Sequence, residues 1–420
     1  MRGEDCFGAD DKRLLHDEAL DLLARLPLPA PGHETISLGE GRGRILAAPV
    51  TAPRNVPQHD TSAVDGYAFR HQDFDPCGGF FRLETRIPAG HPAVQAQAPW
   101  AAARIFTGGV MPEGADTVAM QEDCRLETSG GQSVVVIPAG LPKGANRRLA
   151  GEDLAAGTQI LVQGHRLRAQ DLAAIASTGT AQVPVFNRIR AGVISTGDEL
   201  VRPGTPLGAG GLYDANHFLL TSLLESCPAD ITDLGICPDR RDALQLALSE
   251  GAEHCDVILT SGGASHGEED HLLAVLERIG EAQVFDLAIK PGRRLITGRA
   301  GDCLIIGLPG NPVAAMVSFL LYARPLLLRR AGMAAAPVQG FQVQAAFDLP
   351  RRKTGRREFS RGRLVTHPDG SVHAELYPRS GSGLISSLRE ADGLIEIPEE
   401  TAAIHRGDAV CFLPFSSFLA

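Results

Sequence analysis

The stretch of sequence that decides the fold is DVILTSGGASHGEED, residues 256–270. It begins with an apolar β-branched run, ends in three acids, and is followed over residues 271–279 by an apolar run with helical spacing. The order is strand, glycine loop and helix, which is the repeating unit of α/β domains. Glycines before a helix start suit a phosphate, and clustered carboxylates suit a hard cation such as Mg²⁺.

The same loop carries a second motif. Gly263-Ala-Ser-His-Gly267 matches G-x-S-x-G, the nucleophile elbow of serine hydrolases, in the strand-to-helix setting that the motif requires. A plain glycine-rich turn before a capped helix is the third interpretation. Taken alone, the loop leaves a phosphate-and-metal site, a serine hydrolase and a structural turn open.

Length, charge and cysteine usage limit the classes of protein. A chain of 420 residues exceeds one usual core and predicts roughly two to four domains. The net charge of −10 argues against a general nucleic-acid-binding protein. The eight cysteines form no C-x-x-C pair and show no zinc spacing, which is typical of reduced thiols in a cytoplasmic protein. The charged N-terminus predicts no secretory signal, and Arg324 and Pro325 interrupt the longest apolar run, so no membrane span is expected.

The periodicity divides the chain into four parts. Strands alternate with helices over residues 188–333, which predicts a central, doubly wound parallel-sheet domain within a multidomain α/β protein. Short strands and turns predict a β-rich insertion domain over residues 59–149 and a barrel-like C-terminal β domain over residues 338–420. Residues 1–58 and 150–187 together form a predicted N-terminal helical and extended domain.

Several loops of the central domain are expected to lie at one edge, because ligands of open α/β sheets bind beyond the carboxyl ends of the strands. They are Ser195–Leu200, the glycine loop, and Leu308–Val313, where Asn311 is expected to cap the next helix and Pro312 to open it. Such a helix start leaves free N–H groups for an anion. The turn Lys290-Pro-Gly-Arg-Arg294 adds cations. Each loop singly also fits an ordinary turn or cap, and their coincidence predicts a ligand site.

Together these loops resemble the MoeA family, the molybdopterin molybdenumtransferases, to which the gephyrin E domain is related. The resemblance extends over nearly the whole chain and follows the family's order. It rests on nine motifs: DTSAVDGYA (60–68), TGGVMPEGADT (107–117), NRRLAGED (146–153), STGDEL (195–200), YDAN (213–216), SGGASHGEED (261–270), LPGNPV (308–313), GRREFSRG (355–362) and GSGLISS (381–387).

The resemblance implies a homodimer with four domains per chain and active sites formed between subunits. It implies an enzyme that takes adenylated molybdopterin and molybdate as substrates, releases AMP and leaves molybdenum on the pterin, with Mg²⁺ as cofactor. A molybdopterin adenylyltransferase would act upstream, and molybdoenzymes or their chaperones would receive the product. Neither a nucleic acid nor a membrane is expected as a partner.

The site residues are carried over by the same resemblance. The expected catalytic residues are Asp65, Glu199, Asp239, Asp270 and Lys290. The expected metal ligands are Asp239, Glu268 and Asp270. The expected substrate-binding residues are Thr107, Arg148, Asp153, Thr196, Gly197, Asp198, Ser261, Gly262, Gly263, Ser265, Arg293, Pro309, Asn311, Pro312, Arg356 and Ser382.

Within this set, Lys290 and Arg293 are the candidate oxoanion and phosphate contacts, and Ser265 is a hydrogen-bonding residue, not a nucleophile. The residues of the β-rich part are expected to face the α/β domain of the partner subunit. They are Asp65, Thr107, Arg148 and Asp153.

The sequence departs from the family's pattern at a few positions. Ala264 and His266 stand where members often have valines. Asp286 stands where members often have a lysine, which weighs against that family contact. The family's K-P-G-K-P turn reads Lys290-Pro-Gly-Arg-Arg294. The positive charge is kept, but a planar guanidinium replaces the compact ammonium of a lysine, and an arginine replaces the last proline.

Two other functions stay open at this point. A serine hydrolase needs a histidine and an acid near Ser265, but the later histidines His367, His373 and His405 fall in the predicted C-terminal domain. A non-catalytic scaffold of the gephyrin kind is the other alternative, although the linker between gephyrin's two enzyme domains has no counterpart here. The sequence does not distinguish molybdate from tungstate, since both are tetrahedral dianions.

Overall fold

The computed structural model describes residues 13–76, 78–263, 270–334, 338–379 and 381–419. The elements up to residue 187 are α1 His16–Ala24, β1 His33–Ser37, β2 Val50–Thr51, β3 Thr61–Ser62, β4 Gly66–Phe69, β5 Phe80–Ile87, β6 Ala101–Ile105, β7 Thr117–Met120, β8 Arg125–Ser129, β9 Gln132–Val136, β10 Arg147–Arg148, β11 Gln159–Leu161, α2 Ala169–Ser177 and β12 Gln182–Phe186.

The elements of the central part are β13 Ile189–Thr196, β14 Leu200–Val201, β15 Leu212–Tyr213, α3 Ala215–Leu224, β16 Ala229–Cys237, α4 Arg241–His254, β17 Val257–Ser261, α5 Leu272–Ile279, β18 Glu281–Asp286, β19 Ile289–Lys290, β20 Arg294–Ala300, β21 Cys303–Leu308, α6 Pro312–Ser318 and α7 Arg324–Arg330. The C-terminal elements are β22 Phe341–Ala345, β23 Arg357–Thr366, β24 Val372–Leu376, α8 Ile385–Glu390, β25 Gly393–Ile397, β26 Ala409–Pro414 and α9 Ser416–Leu419.

The central sheet has the strand order β16-β13-β17-β21-β20-β18. Its first four strands are parallel, and the hairpin of β18 and β20 adds two antiparallel strands at one edge. Alternate residues of β17 point to opposite cores: Val257 and Leu259 pack with α3 and α6, whereas Ile258 packs with α4 and α5. Helices therefore cover both faces, which confirms the predicted doubly wound α/β domain. The antiparallel hairpin was absent from the sequence prediction.

One helical segment, Pro312–Arg330, has the length and composition of a membrane span, but most of it is buried inside the protein. It consists of α6, a π-helical turn over Phe319–Ala323, and α7. Val317 and Leu320 lie in the main hydrophobic core. The segment is therefore a core helix, as the interrupted apolar run predicted.

The β-rich part forms a six-stranded sheet in the order β7-β4-β6-β5-β9-β8. Its core contains an aromatic cluster in which Phe69 lies 4.9 Å from Phe81 and 5.6 Å from Phe74 between ring centroids. Two hydrophobic clusters lie in this part, and both contain only its own residues. Its core is therefore separate from those of the central domain. Residues on either side of this part meet again where β1 pairs with β12.

The C-terminal strands form a closed barrel. The order is β23-β24-β22-β26-β25, and β25 pairs back with β23. The barrel-like prediction is confirmed. In addition, the short strand β19 of the central part pairs in parallel with β23, with Ile289 opposite Arg357 and Lys290 opposite Glu358. The barrel is thereby attached to the Lys290–Arg294 turn.

Candidate functional site

Three loops meet at the carboxyl-terminal edge of the central sheet. Because β13, β17 and β21 are parallel neighbours, Ser261 lies opposite Ser195 on one side and Leu308 on the other. The Oγ1 atom of Thr196 lies 3.5 Å from the carbonyl oxygen of Ser261, and the N–H of Gly262 donates to the carbonyl of Leu308 at 3.1 Å. We call this edge the strand-end rim. It comprises residues 196–199, 239, 261–263 and 309–312.

The glycine loop begins with two consecutive residues in the left-handed region, Gly262 at φ +95° and Gly263 at φ +69°. A Cβ added to Gly262 would lie 2.7 Å from Oγ1 and 2.8 Å from the carbonyl oxygen of Thr196. Glycine is therefore required here by both backbone conformation and space. The two glycines therefore allow a tight turn and a close approach of a ligand to the backbone directly after β17.

Two carboxylates lie side by side at the rim. The N–H of Asp198 donates to Oδ2 of Asp239 at 3.2 Å, and the N–H of Asp239 donates to Oδ1 of Asp198 at 3.1 Å. Each carboxylate commits one oxygen to this exchange, which fixes the ends of β13 and β16 to each other. Glu199 follows directly and is exposed. Its carboxylate folds back over Gly197, so that a Cβ added to Gly197 would lie 2.6 Å from Oε2. The rim thus carries three adjacent acids.

An open cleft of about 1140 Å³ adjoins this acidic side of the rim. Its lining includes Asp239, Arg241 at the start of α4 and His271 just before α5. The Nε atom of Arg241 donates to Nδ1 of His271 at 3.4 Å. The half-buried Asp270 directly precedes His271 in the chain, so both predicted acids Asp239 and Asp270 belong to segments next to this cleft.

The predicted metal set is only partly covered by the described residues. Ser265, His266 and Glu268 lie outside them. Among the residues that the structure describes, no group of three or more histidines, cysteines and acids has an arrangement that would hold a metal ion. Of the predicted metal ligands, Asp239 and Asp270 are described, and Asp239 is paired with Asp198.

Asn216 joins two loops of the rim and was not among the predicted site residues. Its Nδ2 group donates to Oγ of Ser261 and to the carbonyl of Gly310, both at 2.7 Å. The side chain is only 9% exposed, so these bonds form away from water. Asp214, the N-cap of α3, accepts from the N–H of His217 and sets the helix start from which Asn216 projects. The signal in the sequence was the motif YDAN, which gives no indication of a tertiary contact.

The cations of the Lys290–Arg294 turn meet the barrel. Nζ of Lys290 lies 3.3 Å from Oε2 of Glu358, and Nε of Arg356 lies 3.8 Å from Oε1 of the same carboxylate. Lys290 and Arg356, predicted separately, are thus brought together by a residue that the prediction omitted. Arg293 is half-buried, and its carbonyl accepts from the N–H of Leu287 at 2.6 Å.

The start of α6 differs from the expectation. Pro312 is the first helical residue, as predicted, and the half-buried Pro309 ends the strand before it. Asn311 occupies the N-cap position, but its side chain makes no capping hydrogen bond. The N–H of Val313 donates to the carbonyl of Ser382 at 3.0 Å. The prediction of a side-chain cap and of wholly free N–H groups is therefore wrong, because the C-terminal loop occupies this donor.

Ser382 reaches the rim because Arg361 holds its loop. The buried Arg361 guanidinium donates to the carbonyl of Gly381 and to Oγ of Ser387, both at 3.1 Å. Burial lowers the pKa of Arg361 from its ordinary value. The barrel thus supplies two predicted site residues, Arg356 and Ser382, from separate loops.

Asp65 and Thr107 form a compact pair on the β-rich part. The backbone N–H and the hydroxyl of Thr107 both donate to Oδ1 of Asp65 at 2.8 Å. These two hydrogen bonds, from the N–H first and the hydroxyl second, lower the pKa of the Asp65 carboxyl. Asp65 is therefore ionised at neutral pH.

Arg148 and Asp153 complete what we call the insertion group, which consists of Asp65, Thr107, Arg148 and Asp153. Arg148 lies in β10 opposite Thr61, and the N–H of Asp153 donates to the carbonyl of Val56 at 3.1 Å. Both side chains are exposed. Within the part of the chain that the structure describes, no hydrogen bond or ion pair of this group reaches the strand-end rim. The predicted residues thus fall into two groups.

Protein-family models match three successive regions of the chain. The MoeA N-terminal region (domain I and II) matches residues 14–179, a probable molybdopterin-binding domain matches residues 192–329, and the MoeA C-terminal region (domain IV) matches residues 342–415. The second match contains the whole strand-end rim, and the first contains the insertion group.

A molybdopterin molybdenumtransferase of Haemophilus influenzae is 35% identical over 400 residues, which cover 95% of this chain and 97% of the relative. The chain belongs to the MoeA family. A Bacillus subtilis member of the family, also a molybdopterin molybdenumtransferase, is 30% identical over 90% of this chain and 88% of its own length. The crystal structure of the MoeA protein from Pyrococcus horikoshii superimposes with a TM-score of 0.81 at 27% identity, covering 96% of this chain and all of that one.

Two departures from the MoeA sequence pattern lie opposite each other. Asp286 and Arg294 are register partners in the hairpin of β18 and β20. Nε of Arg294 lies 3.3 Å from Oδ1 of Asp286. The acid that stands at the MoeA lysine position and the arginine that stands at the MoeA proline position therefore form an ion pair beside the Lys290 turn.

Proposed function

We propose that this chain is a molybdopterin molybdenumtransferase, which transfers molybdenum from molybdate to adenylated molybdopterin and releases AMP. The observation that carries the proposal is that a glycine cradle and a carboxylate pair lie at the strand-end rim, while the Lys290–Arg294 turn packs through Gly292 against α6, the helix that begins at this rim. A phosphoanhydride substrate requires N–H donors and charge neutralisation, and an oxoanion requires fixed cations. The relatives named above carry the name of this activity over nearly the full chain.

The glycine side of the rim suits the phosphate portion of the substrate. Ser261, Gly262 and Gly263 form the turn assigned to the phosphate; the N–H of Gly262 holds this turn to Leu308, and the absence of side chains on the two glycines lets a ligand approach the backbone closely. Thr196 and Gly197 lie directly beside them. The residues assigned to substrate binding at this edge are Thr196, Gly197, Asp198, Ser261, Gly262, Gly263, Pro309, Asn311 and Pro312. Ser265 is assigned a hydrogen-bonding role in the same loop.

The acidic side suits a magnesium ion. Mg²⁺ is usually held by one or two carboxylates together with substrate phosphates, and the pair of Asp198 and Asp239 fits that donor set. When bound, the ion neutralises charge on the phosphoanhydride. Asp239, Asp270 and Glu268 are assigned as its ligands. Glu199 is assigned a catalytic role at the exposed end of the first strand.

The cationic side suits molybdate, a tetrahedral dianion. Lys290 and Arg356 are held on one carboxylate, which supports their assignment as oxoanion contacts. Arg293 lies in the same turn, and Ser382 is held at the start of α6. These four residues come from two domains, so the oxoanion site depends on the junction between the central sheet and the barrel.

The insertion group is assigned to the active site of a neighbouring subunit, so that the working form is a homodimer. Two observations support this assignment: the other three members of the group, Thr107, Arg148 and Asp153, are exposed, and the side-chain hydrogen bonds of the ionised Asp65 stay within the β-rich part. We place the enzyme in the cytoplasm, where the described cysteines keep free thiols. A molybdopterin adenylyltransferase supplies its substrate, and molybdoenzymes or their chaperones receive its product.

The decisive experiment measures AMP. Purified protein is incubated with adenylated molybdopterin, Mg²⁺ and molybdate, and AMP is quantified by chromatography together with pterin-bound molybdenum. We expect AMP release that depends on molybdate and matches the molybdenum inserted. Release of AMP without molybdenum insertion would exclude a molybdenumtransferase. In parallel, labelling of Ser265 by a fluorophosphonate with loss of activity would favour the serine hydrolase.

A further inference from the structure

We infer that Glu358 is a positioning residue for the oxoanion: it holds Lys290 and Arg356 side by side as fixed cations. The inference deepens the proposed function and rests on it. Glu358 was not among the predicted site residues, and it reaches the oxoanion only through the two cations that it orients.

The carboxylate of Glu358 lies among three cations. Oε2 lies 3.3 Å from Nζ of Lys290, while Oε1 lies 3.3 Å from Nε of Arg352 and 3.8 Å from Nε of Arg356. The residue is only 7% exposed, so these interactions are weakly screened. The four side chains together carry a net positive charge, which suits an incoming dianion.

Arg352 fixes the carboxylate in place. Its guanidinium is buried and donates to the carbonyls of Pro398 at 2.8 Å and Thr401 at 2.6 Å. The backbone adds a second restraint, because Lys290 lies opposite Glu358 in the β19–β23 pairing and the N–H of Arg357 donates to the carbonyl of Ala288 at 2.8 Å. Glu358 is therefore a rigid support and not a mobile counter-ion.

The two cations differ in how they face water. The side chain of Lys290 is 47% exposed, whereas that of Arg356 is 17% exposed. Lysine and arginine side chains lose considerable rotamer freedom when an anion immobilises them. A carboxylate that already holds both removes part of this loss before binding, and so increases affinity for the oxoanion.

The test replaces Glu358 by glutamine, which keeps the shape and removes the charge. We expect the KM for molybdate to rise about tenfold, because each 1.4 kcal/mol of lost orientation is a factor of ten. The kcat and the KM for adenylated molybdopterin should change less than about twofold, since the phosphate cradle is untouched. An unchanged KM for molybdate, or a lower one, overturns the inference.

Glu399→Gln is the matched control. Glu399 is a similarly buried barrel carboxylate that accepts from Nε of Arg357 at 3.0 Å, on the strand neighbour of Glu358. Its removal breaks an equivalent ion pair without touching Lys290 or Arg356. The KM for molybdate should stay unchanged, and a rise equal to that of Glu358→Gln would mean general loosening of the barrel, which overturns the inference.

Glu358→Asp covers the case in which the glutamine variant does not fold, because Arg352 is left without its partner. The aspartate keeps the charge for Arg352 but withdraws it from Lys290 by one methylene. We expect the KM for molybdate to rise about threefold. In free energy this is slightly less than half of the effect expected for Glu358→Gln. A wild-type KM in this variant overturns the inference.

Calorimetric titration with molybdate alone separates this inference from the proposed function. If the wild-type chain binds molybdate but releases no AMP, the proposed function fails, and the affinity ratio between wild type and variant still decides the role of Glu358. If the wild-type chain binds no molybdate, the assignment of Glu358 fails as well.

Discussion

The strand-end rim and the Lys290–Arg294 turn hold their polar groups through contacts between elements far apart in the chain, whereas in the insertion group the side chain of Asp65 is held by Thr107 of the same β-rich part. Asn216 joins the loops of Ser261 and Gly310, and Glu358 joins Lys290 to the barrel. In contrast, the side chain of the half-buried Asp65 is held by Thr107, and Thr107, Arg148 and Asp153 are exposed. The rim is thus organised before any ligand arrives, while the insertion group is presented to the surface. This difference is what the proposed completion of the site by a second subunit would require.

The largest effect is expected at the glycine cradle. Gly262→Ala places a Cβ 2.7 Å from Thr196 Oγ1 in a left-handed backbone, so the loop must move. A displacement of about 1 Å in a binding cradle costs on the order of 100-fold in rate, and we expect AMP release to fall by about that factor. The control is Gly131→Ala, also left-handed at φ +80° but with open space around it. Equal losses in both variants would contradict a special role for the cradle.

The next prediction concerns the division of the site between subunits. Asp65→Asn disables the insertion group, and Asp270→Asn disables the rim, so each variant alone should be nearly inactive. Mixed dimers of the two contain one intact site, and random re-association should restore about a quarter of wild-type AMP release.

The measurement compares AMP release before and after the two variants are unfolded and refolded together. Sedimentation confirms that the dimer forms in each case. Persistent inactivity of the mixture, with dimers present, would mean that both groups act within one chain.

A smaller effect is expected at Asn216. Asn216→Ala leaves Ser261 Oγ and the Gly310 carbonyl without their buried donor, which costs about 1–3 kcal/mol of stability. We expect AMP release to fall about tenfold, as the two loops separate. Asn55→Ala is the comparison variant, because Asn55 accepts from the Ala156 N–H away from the rim. A wild-type rate for Asn216→Ala would show that the loops hold without the bridge.

The smallest expected effect is a difference in how the stabilities of the central domain and the β-rich part depend on pH. Burial lowers the pKa of His16 from 6.5 to about 4, and its Nδ1 lies 2.7 Å from the hydroxyl of Tyr322 in the helical segment beneath the rim. Between these two pKa values His16 is protonated in the unfolded chain but not in the folded chain. The free energy of unfolding therefore falls as the pH decreases from 6.5 toward 4. Between pH 8 and pH 5 the loss is about 2 kcal/mol.

The measurement uses two signals. Trp100 is the single tryptophan and lies in the β-rich part, so its fluorescence follows unfolding there, whereas circular dichroism at helical wavelengths follows the central domain. The dichroism midpoint should fall with pH more than the fluorescence midpoint. In His16→Gln the two should respond alike, and a retained difference would assign the effect to another group.

The local patterns of the sequence predicted most of the architecture. Apolar runs with period two or with helical spacing located the strands and helices of the central domain, since burial on one or two faces determines both patterns. The hairpin of β18 and β20 was missed because its residues flank a turn that was read as a cation-bearing loop. Closure of the barrel was expected only in outline, because the pairing of β23 with β25 joins strands that are distant in sequence.

Site residues could be predicted where a sequence pattern carries them, but not where their role depends on a tertiary contact. Asp65, Asp239 and Lys290 were named from the resemblance to the MoeA family, and each lies beside another predicted residue: Thr107, Asp198 and Arg356, respectively. Asn216 and Glu358 were missed, because an asparagine at a helix start and a glutamate in a strand have ordinary local explanations. The cap expected of Asn311 was wrong for the converse reason, since a distant loop supplied the acceptor.

The pairing of β19 with β23 makes the barrel a template for the Lys290–Arg294 turn. A chain that ends before residue 341 would keep every strand of the central sheet. It would lose β23, the strand with which Ile289 and Lys290 pair. The barrel therefore cannot be exchanged as a module without rewriting the turn that it shapes, and the two must be inherited or redesigned as one unit.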